Sequence, residues 1–210
     1  MANTFSGFPA EAVDFLAKLE ANNNRDWFNA HKADYEGACK IPMEQLLDDL
    51  DQKYGTGNSK VFRIHRDVRF SKDKTPYKTW QAAHFAAGYL SLSADGLYVG
   101  TGAYMLEGPT LERYRHAVAD DKTGAEFVKA RATLTKKGYV VEGHGDALKT
   151  VPRGYDKDHP RADLLKQKSV LVGKNFAPNE IGSAKLVAGV TKFVTDAKPF
   201  TAWLDANVWT

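Results

Sequence analysis

The period of the hydrophobic pattern changes twice along this chain, and that limits its fold more than any other feature. In residues 9–21, "PAEAVDFLAKLEA", Ala12, Phe15, Leu16 and Leu19 recur at i, i+3, i+4 and i+7. That spacing puts one apolar stripe on a helix, and Pro9 suits its first turn. A second helix is expected from "NNNRDWFNAHKADYEGA", with Asn24 as N-cap and Trp27 and Phe28 as anchors. Pro42 interrupts it or starts a third helix, in which Leu46, Leu47 and Leu50 face inward. After the turn-rich "YGTGNS" the pattern alternates from Lys60 onward. "VFRIH" and "VRF" read as strand, and "QAAHFAAGYLSL" and "GLYVGTGAYML" flank the hairpin signal Asp95-Gly96. Helical spacing returns at "TLERYRHAVA" and "GAEFVKARATLTKK". A short strand is expected at "YVVEG", a helical turn at "PRADLLKQ" and a strand at "SVLVGKNF". Two closing helices follow, "SAKLVAGVTKFVTDA" and "PFTAWLDANVW". Helices at both ends with strands grouped between them predict an α+β fold, a central antiparallel meander with N-terminal and C-terminal helices packed on it.

At 210 residues the chain is long enough to bury a core without disulfides, and one domain over residues 4–205 is expected. The single cysteine, Cys39, excludes an internal disulfide framework, and no apolar run approaches the roughly 18 residues of a membrane span. The N-terminus lacks the basic and apolar regions of a signal peptide, so a cytoplasmic location is the expectation.

Charge is concentrated in one stretch, "KVFRIHRDVRFSKDKTPYKTW", residues 60–80. Lys60, Arg63, Arg66, Arg69, Lys72, Lys74 and Lys78 face only Asp67 and Asp73, which leaves +5 here against a net +3 for the whole chain. So focal a charge argues for a local anion site and against a broad nucleic-acid surface. Read as one continuous strand, the segment places Arg63, His65, Asp67 and Arg69 on one face. Arg66 then falls among Phe62, Ile64, Val68 and Phe70, a costly position unless a carboxylate pairs with it or a bulge turns it outward. Arg supplies a planar fork for carboxylate or phosphate, Lys a mobile point charge, and Tyr77 a hydroxyl. The candidate ligand-binding set is Arg63, Arg66, Arg69, Lys72, Lys74, Tyr77 and Lys78. For catalysis, His65 is the general acid–base candidate and Asp67 the residue that would orient it. The expected ligand is a small phosphorylated or carboxylated anion. An interaction module for an acidic protein or nucleic acid, and purely structural arginines, stay open beside it.

"FRIHRDVRFSKDKTPYKT" resembles the signature of an uncharacterised family, the domain of unknown function 2461 (DUF2461). "FPAEAVDFLAKLEANNNRDWFNAHKADYE" is similar to that family's N-terminal block, and "PRGYDKDHPRADLLKQKS" to its C-terminal block. The resemblance implies a single α+β domain in a soluble bacterial-type or fungal protein, and it implies no activity. It also suggests that three blocks meet: Asn23, Arg25 and Trp27, then 63–78, then Arg153, Tyr155, Asp158 and His159. Trp27, Arg153 and Tyr155 therefore join the binding set.

Other chemistry is poorly supported. Glu142, His144, Asp146, Asp156, Asp158 and His159 match no zinc or EF-hand spacing, so no metal site is expected. "GTGNSK" and "GTGAY" complete neither a Walker A pattern nor a dinucleotide fingerprint, and no cofactor is identified. The second lies in a strand pattern, where glycine marks a bulge or close packing. Cys39 has no flanking motif for a nucleophile. His84 reads as a satisfied core histidine, and His31 and His116 as helix-surface residues.

Overall fold

The computed structural model describes residues 4–55, 59–145 and 147–209. Asp146 and the centre of the expected turn, Thr56, Gly57 and Asn58, lie outside the described residues. The fold is α+β. A six-stranded sheet has the order β1-β2-β3-β4-β6-β5, formed by β1 (Lys60–Val61), β2 (Gln81–Phe85), β3 (Gly88–Ser93), β4 (Gly96–Ala103), β5 (Val140–Glu142) and β6 (Val170–Phe176). The pairs β1–β2, β2–β3 and β5–β6 are antiparallel. The chain divides into two compact units, 1–99 with 175–192, and 100–174 with 193–210. Among the described residues no helix is long and apolar enough to cross a membrane.

The first unit opens with α1 (Glu11–Ala21), which buries Ala12, Phe15, Leu16 and Leu19, the stripe its spacing predicts. Then come α2 (Arg25–Ala30), α3 (Lys32–Tyr35), a π turn over Glu36–Lys40 and α4 (Ile41–Tyr54). Asn24 caps α2 by accepting from the Trp27 N–H at 2.9 Å, as expected. Of the two alternatives for Pro42, the structure takes the second: it stands at the start of a helix, α4. The π turn lies directly before α4 and Pro42 occupies its first turn, where a missing N–H costs little. Met43, Leu46, Leu47 and Leu50 are all buried on α4.

Between β2 and β3 a tight turn at Ala86–Ala87 splits "QAAHFAAGYLSL" into two strands, with Phe85 opposite Gly88. The sequence offers no Asn-Gly or Asp-Gly there, so the hairpin was not visible. The expected turn before β4 is present, with Gly96 at φ +115° where an L side chain would be strained. His84 is exposed and not in the core. It pairs across the sheet with Lys60 and Tyr89, so its face is the one that carries the solvated Lys60.

In the second unit α5 (Gly108–Ala119) and α6 (Asp121–Lys136) meet at Asp120, which caps α6 by accepting from the Lys122 and Thr123 N–H groups. A short helix, α7 (Ala162–Leu165), precedes β6. Gly102, in the "GTGAY" stretch, has φ +126°, and a Cβ there would lie 2.3 Å from the Val170 carbonyl oxygen, so close packing explains this glycine. The two expected closing helices are one, α8 (Lys185–Asn207), with Pro199 inside it. Leu186, Val190, Phe193, Ala197, Phe200 and Leu204 form one buried stripe through the proline. Burying those side chains at roughly 1.5–3 kcal/mol for each large one outweighs the ~3 kcal/mol cost of an interior proline.

Candidate functional site

The basic segment is an irregular hairpin, not a continuous strand. Beyond β1 the Phe62 N–H donates to the Ala82 carbonyl at 2.8 Å, Lys78 N–H to Ile64 at 2.8 Å and Arg66 N–H to Pro76 at 2.9 Å. From Phe62–Ala82 to Ile64–Lys78 the return arm holds two extra residues, Thr79 and Trp80, which bulge out. Buried Gln81 repairs the ladder there, its Nε2 donating to the Phe62 carbonyl at 2.7 Å and to Ala82 at 3.0 Å, while Tyr35 donates its hydroxyl to Gln81 Oε1. The bulge and the loop beyond Arg66 end the alternation on which the one-strand reading rested.

Arg66 takes the paired alternative. Its guanidinium donates to Asp73 and to the Thr75 hydroxyl, and its side chain is 25% exposed. The Thr75 N–H, then Arg66, hold the Asp73 carboxyl down at about 2. Arg69 is spent within the loop as well. It clasps Asp67 through Nε at 2.9 Å and Nη2 at 2.7 Å, and this fork is the main reason the Asp67 carboxyl lies below its usual range. Asp67 therefore serves Arg69, and no hydrogen bond joins it to His65 among the described residues. Lys74 donates to the Val68 carbonyl at 3.0 Å and Lys78 to the Arg63 carbonyl at 3.1 Å.

With both aspartates engaged, Lys60, Arg63, Lys72, Lys74 and Lys78 have no carboxylate partner among the described residues. Lys78 is the most enclosed of them. Burial, then the charge of nearby Arg63, lowers its ammonium pKa, and its Nζ lies 5.9 Å from the Phe62 ring centroid. Arg63 is exposed, and its guanidinium makes no hydrogen bond or ion pair among the described residues. At the loop tip Phe70 is 95% exposed between Arg69 and Lys72.

The first and second blocks do meet. Asn23 mimics a strand edge, its Nδ2 donating to the Tyr77 carbonyl at 2.9 Å and its Oδ1 accepting from the Tyr77 N–H at 3.1 Å. Phe28 stacks on the Tyr77 ring at 4.0 Å, and His65 lies 5.0 Å from Tyr77 and 6.1 Å from Phe28. Tyr77 is thus buried in an aromatic cluster, and His65 forms the exposed edge of that cluster. Phe28 is a core anchor. Trp27, next to it in sequence, is half-buried and stacks on His31 at 4.2 Å.

The third block lies in the second unit. Arg153 is exposed there, and half-buried Tyr155 sits 6.1 Å from the His116 ring. The arginine with a defined task in that block is Arg161. It donates to the Val118 carbonyl at 2.6 Å and to Ala119 at 2.9 Å, closing the C-terminal end of α5, and pairs with Asp121 at 3.0 Å. A Cβ on Gly124 would lie 2.2 Å from that Val118 oxygen and 2.6 Å from the Arg161 Nε, so this clasp requires glycine. Sequence reasoning missed Arg161, Gln81 and Tyr35, because each acts on a partner tens of residues away and carries no local pattern. Cys39 is fully buried, and burial pushes its thiol up to about 12, so it is not an activated nucleophile. Among the described residues no group of three or more His, Cys, Asp or Glu is placed to hold a metal ion.

Comparison with curated proteins and with solved structures found no match. The comparison with protein families did find one, described as "Conserved hypothetical protein (DUF2461)", over residues 11–203. That match takes in α1, the cationic hairpin and nearly all of α8, and the chain belongs to the DUF2461 family.

Proposed function

We propose that the chain binds a small anionic ligand, phosphorylated or carboxylated, at the Arg63–Lys78 edge of the hairpin. One observation carries this reading: two cations are held side by side, one of them partly desolvated, with no carboxylate between them. Such an arrangement is unfavourable by itself and is relieved when an anion arrives. Compared with the expected set, Arg66, Arg69 and Tyr77 move from ligand contact to scaffold. Thermal unfolding with phosphorylated and carboxylated metabolites at matched ionic strength tests it. A ligand at about 100 times its Kd adds roughly 2.7 kcal/mol, on the order of 5–10 °C for a chain of this length. The shift is expected to vanish in Arg63→Ala/Lys78→Ala and to persist in Arg69→Ala. If no anion shifts the wild type, the proposal fails. Should a substrate emerge, His65→Gln decides whether this histidine takes part in turnover.

A second reading rests on the exposed Phe70 between Arg69 and Lys72. It makes the loop tip a contact for an acidic protein or a nucleic acid, with Phe70 as the apolar element. Binding that falls steeply with salt and is lost in Phe70→Ala would favour it.

A further inference from the structure

The N-terminal helices border an open cleft of opposite character, with a cavity volume of ≈ 500 Å³. Its apolar wall is Phe15, Trp27 and His31; the Phe15 and Trp27 rings lie 5.5 Å apart, and the indole stacks on the imidazole at 4.2 Å. Its rim carries Glu11, Asp14 and Asp34. All three carboxylates are exposed, and none makes a hydrogen bond or ion pair among the described residues. Lys18 is the one lysine or arginine in the lining. The His31 Nδ1 lies 2.8 Å from the Trp27 carbonyl oxygen, which can only accept, so Nδ1 carries the proton and a neutral ring leaves Nε2 as an acceptor.

The backbone adds a second feature. Gly37 and Ala38, which line the cavity, belong to the π turn, and a Cβ on Gly37 would meet nothing within 4 Å. Single π turns within helices are frequent at functional sites. Acidic residues in the first turns of α1 and α3 complement helix dipoles wherever they point. Here all three border the same concavity as the indole.

We propose that this cavity binds a small organic cation, an ammonium or guanidinium carried on a flat apolar body. The body would lie against Phe15 and Trp27, and the cationic head would reach the carboxylate rim. No metal-holding group occurs among the described residues, which makes an organic head the better fit. The cavity differs in sign and lining from the Arg63–Lys78 edge, so its test does not depend on the anion proposal.

Three isosteric probes test it on the full chain: benzylammonium, benzyl alcohol and benzoate, followed by the Trp27-dependent part of the fluorescence, defined by subtraction of Trp27→Phe. Benzylammonium is expected to give a saturable change, with benzyl alcohol roughly tenfold weaker, as one partly screened charge contact implies, and benzoate silent. Asp14→Asn/Asp34→Asn changes only exposed side chains, so the fold is retained. In that variant, which keeps Glu11, benzylammonium is expected to weaken toward the level of benzyl alcohol while benzyl alcohol itself is unchanged. Equal binding of cation and alcohol, no saturable signal from benzylammonium, or an unaltered double variant would each overturn the proposal.

Discussion

The cationic hairpin and the acidic cavity sit in the same unit and share one six-residue helix. Phe28 of α2 points to Tyr77 and His65, and its neighbour Trp27 lines the cavity. The hairpin announces itself in sequence as a run of charge, yet its two aspartates are consumed by Arg66 and Arg69. The cavity has no charge run at all. Of its three carboxylates, Glu11 and Asp14 are neighbours one turn apart on α1, and Asp34 joins them only when α3 packs. A run of like charge in sequence invites its own neutralisation, because short-range pairing within a loop costs little chain entropy.

Removing what the two regions share should have the largest effect. Phe28→Ala deletes a buried ring and its stack on Tyr77, and about 3–5 kcal/mol of stability should be lost in urea denaturation. A loss below ~1 kcal/mol would mean that helix and hairpin are not coupled. Asn23→Ala removes both hydrogen bonds to the Tyr77 backbone. It should cost about 1–3 kcal/mol and speed hydrogen exchange at the Tyr77 amide, while Asn22→Ala leaves that amide protected.

The loop latch makes a smaller, pH-dependent contribution. The Asp73 carboxyl is lowered from 3.8 to about 2 in the folded chain. A depressed folded value means the contribution is fully present above 3.8 and is lost as pH falls through about 2. The stability difference between wild type and Asp73→Asn should therefore close across that window, and a flat difference would rule the latch out. Smallest of all, Phe70→Ala should change stability by no more than about 0.5 kcal/mol, since the ring is 95% exposed. A larger loss would mean the loop tip is packed.

Much of the fold was legible. The α1 stripe, the Asn24 cap and the β5 and β6 strands all follow from local spacing, because each depends on residues within a turn or two of one another. The Ala86–Ala87 hairpin and the continuous α8 were not legible. In the first the turn carries no glycine or asparagine signal, and in the second buried apolar contacts outweigh a proline that locally reads as a stop. At the candidate site the sequence located the segment and misjudged its geometry. His84, assigned to the core, is exposed, and Arg66, whose partner was left open, is held by Asp73.

By itself the sequence determined the class of the fold, most of its helices and strands and the position of its basic segment, since periodicity and composition are properties of neighbours along the chain. Tertiary structure alone decided which cations keep a free charge and that Asn23 clamps Tyr77. It also decided that carboxylates from two separate helices border one aromatic cavity. Each of these depends on groups brought together across tens of residues, and the free energy of that meeting is set by packing and desolvation, which no local pattern encodes.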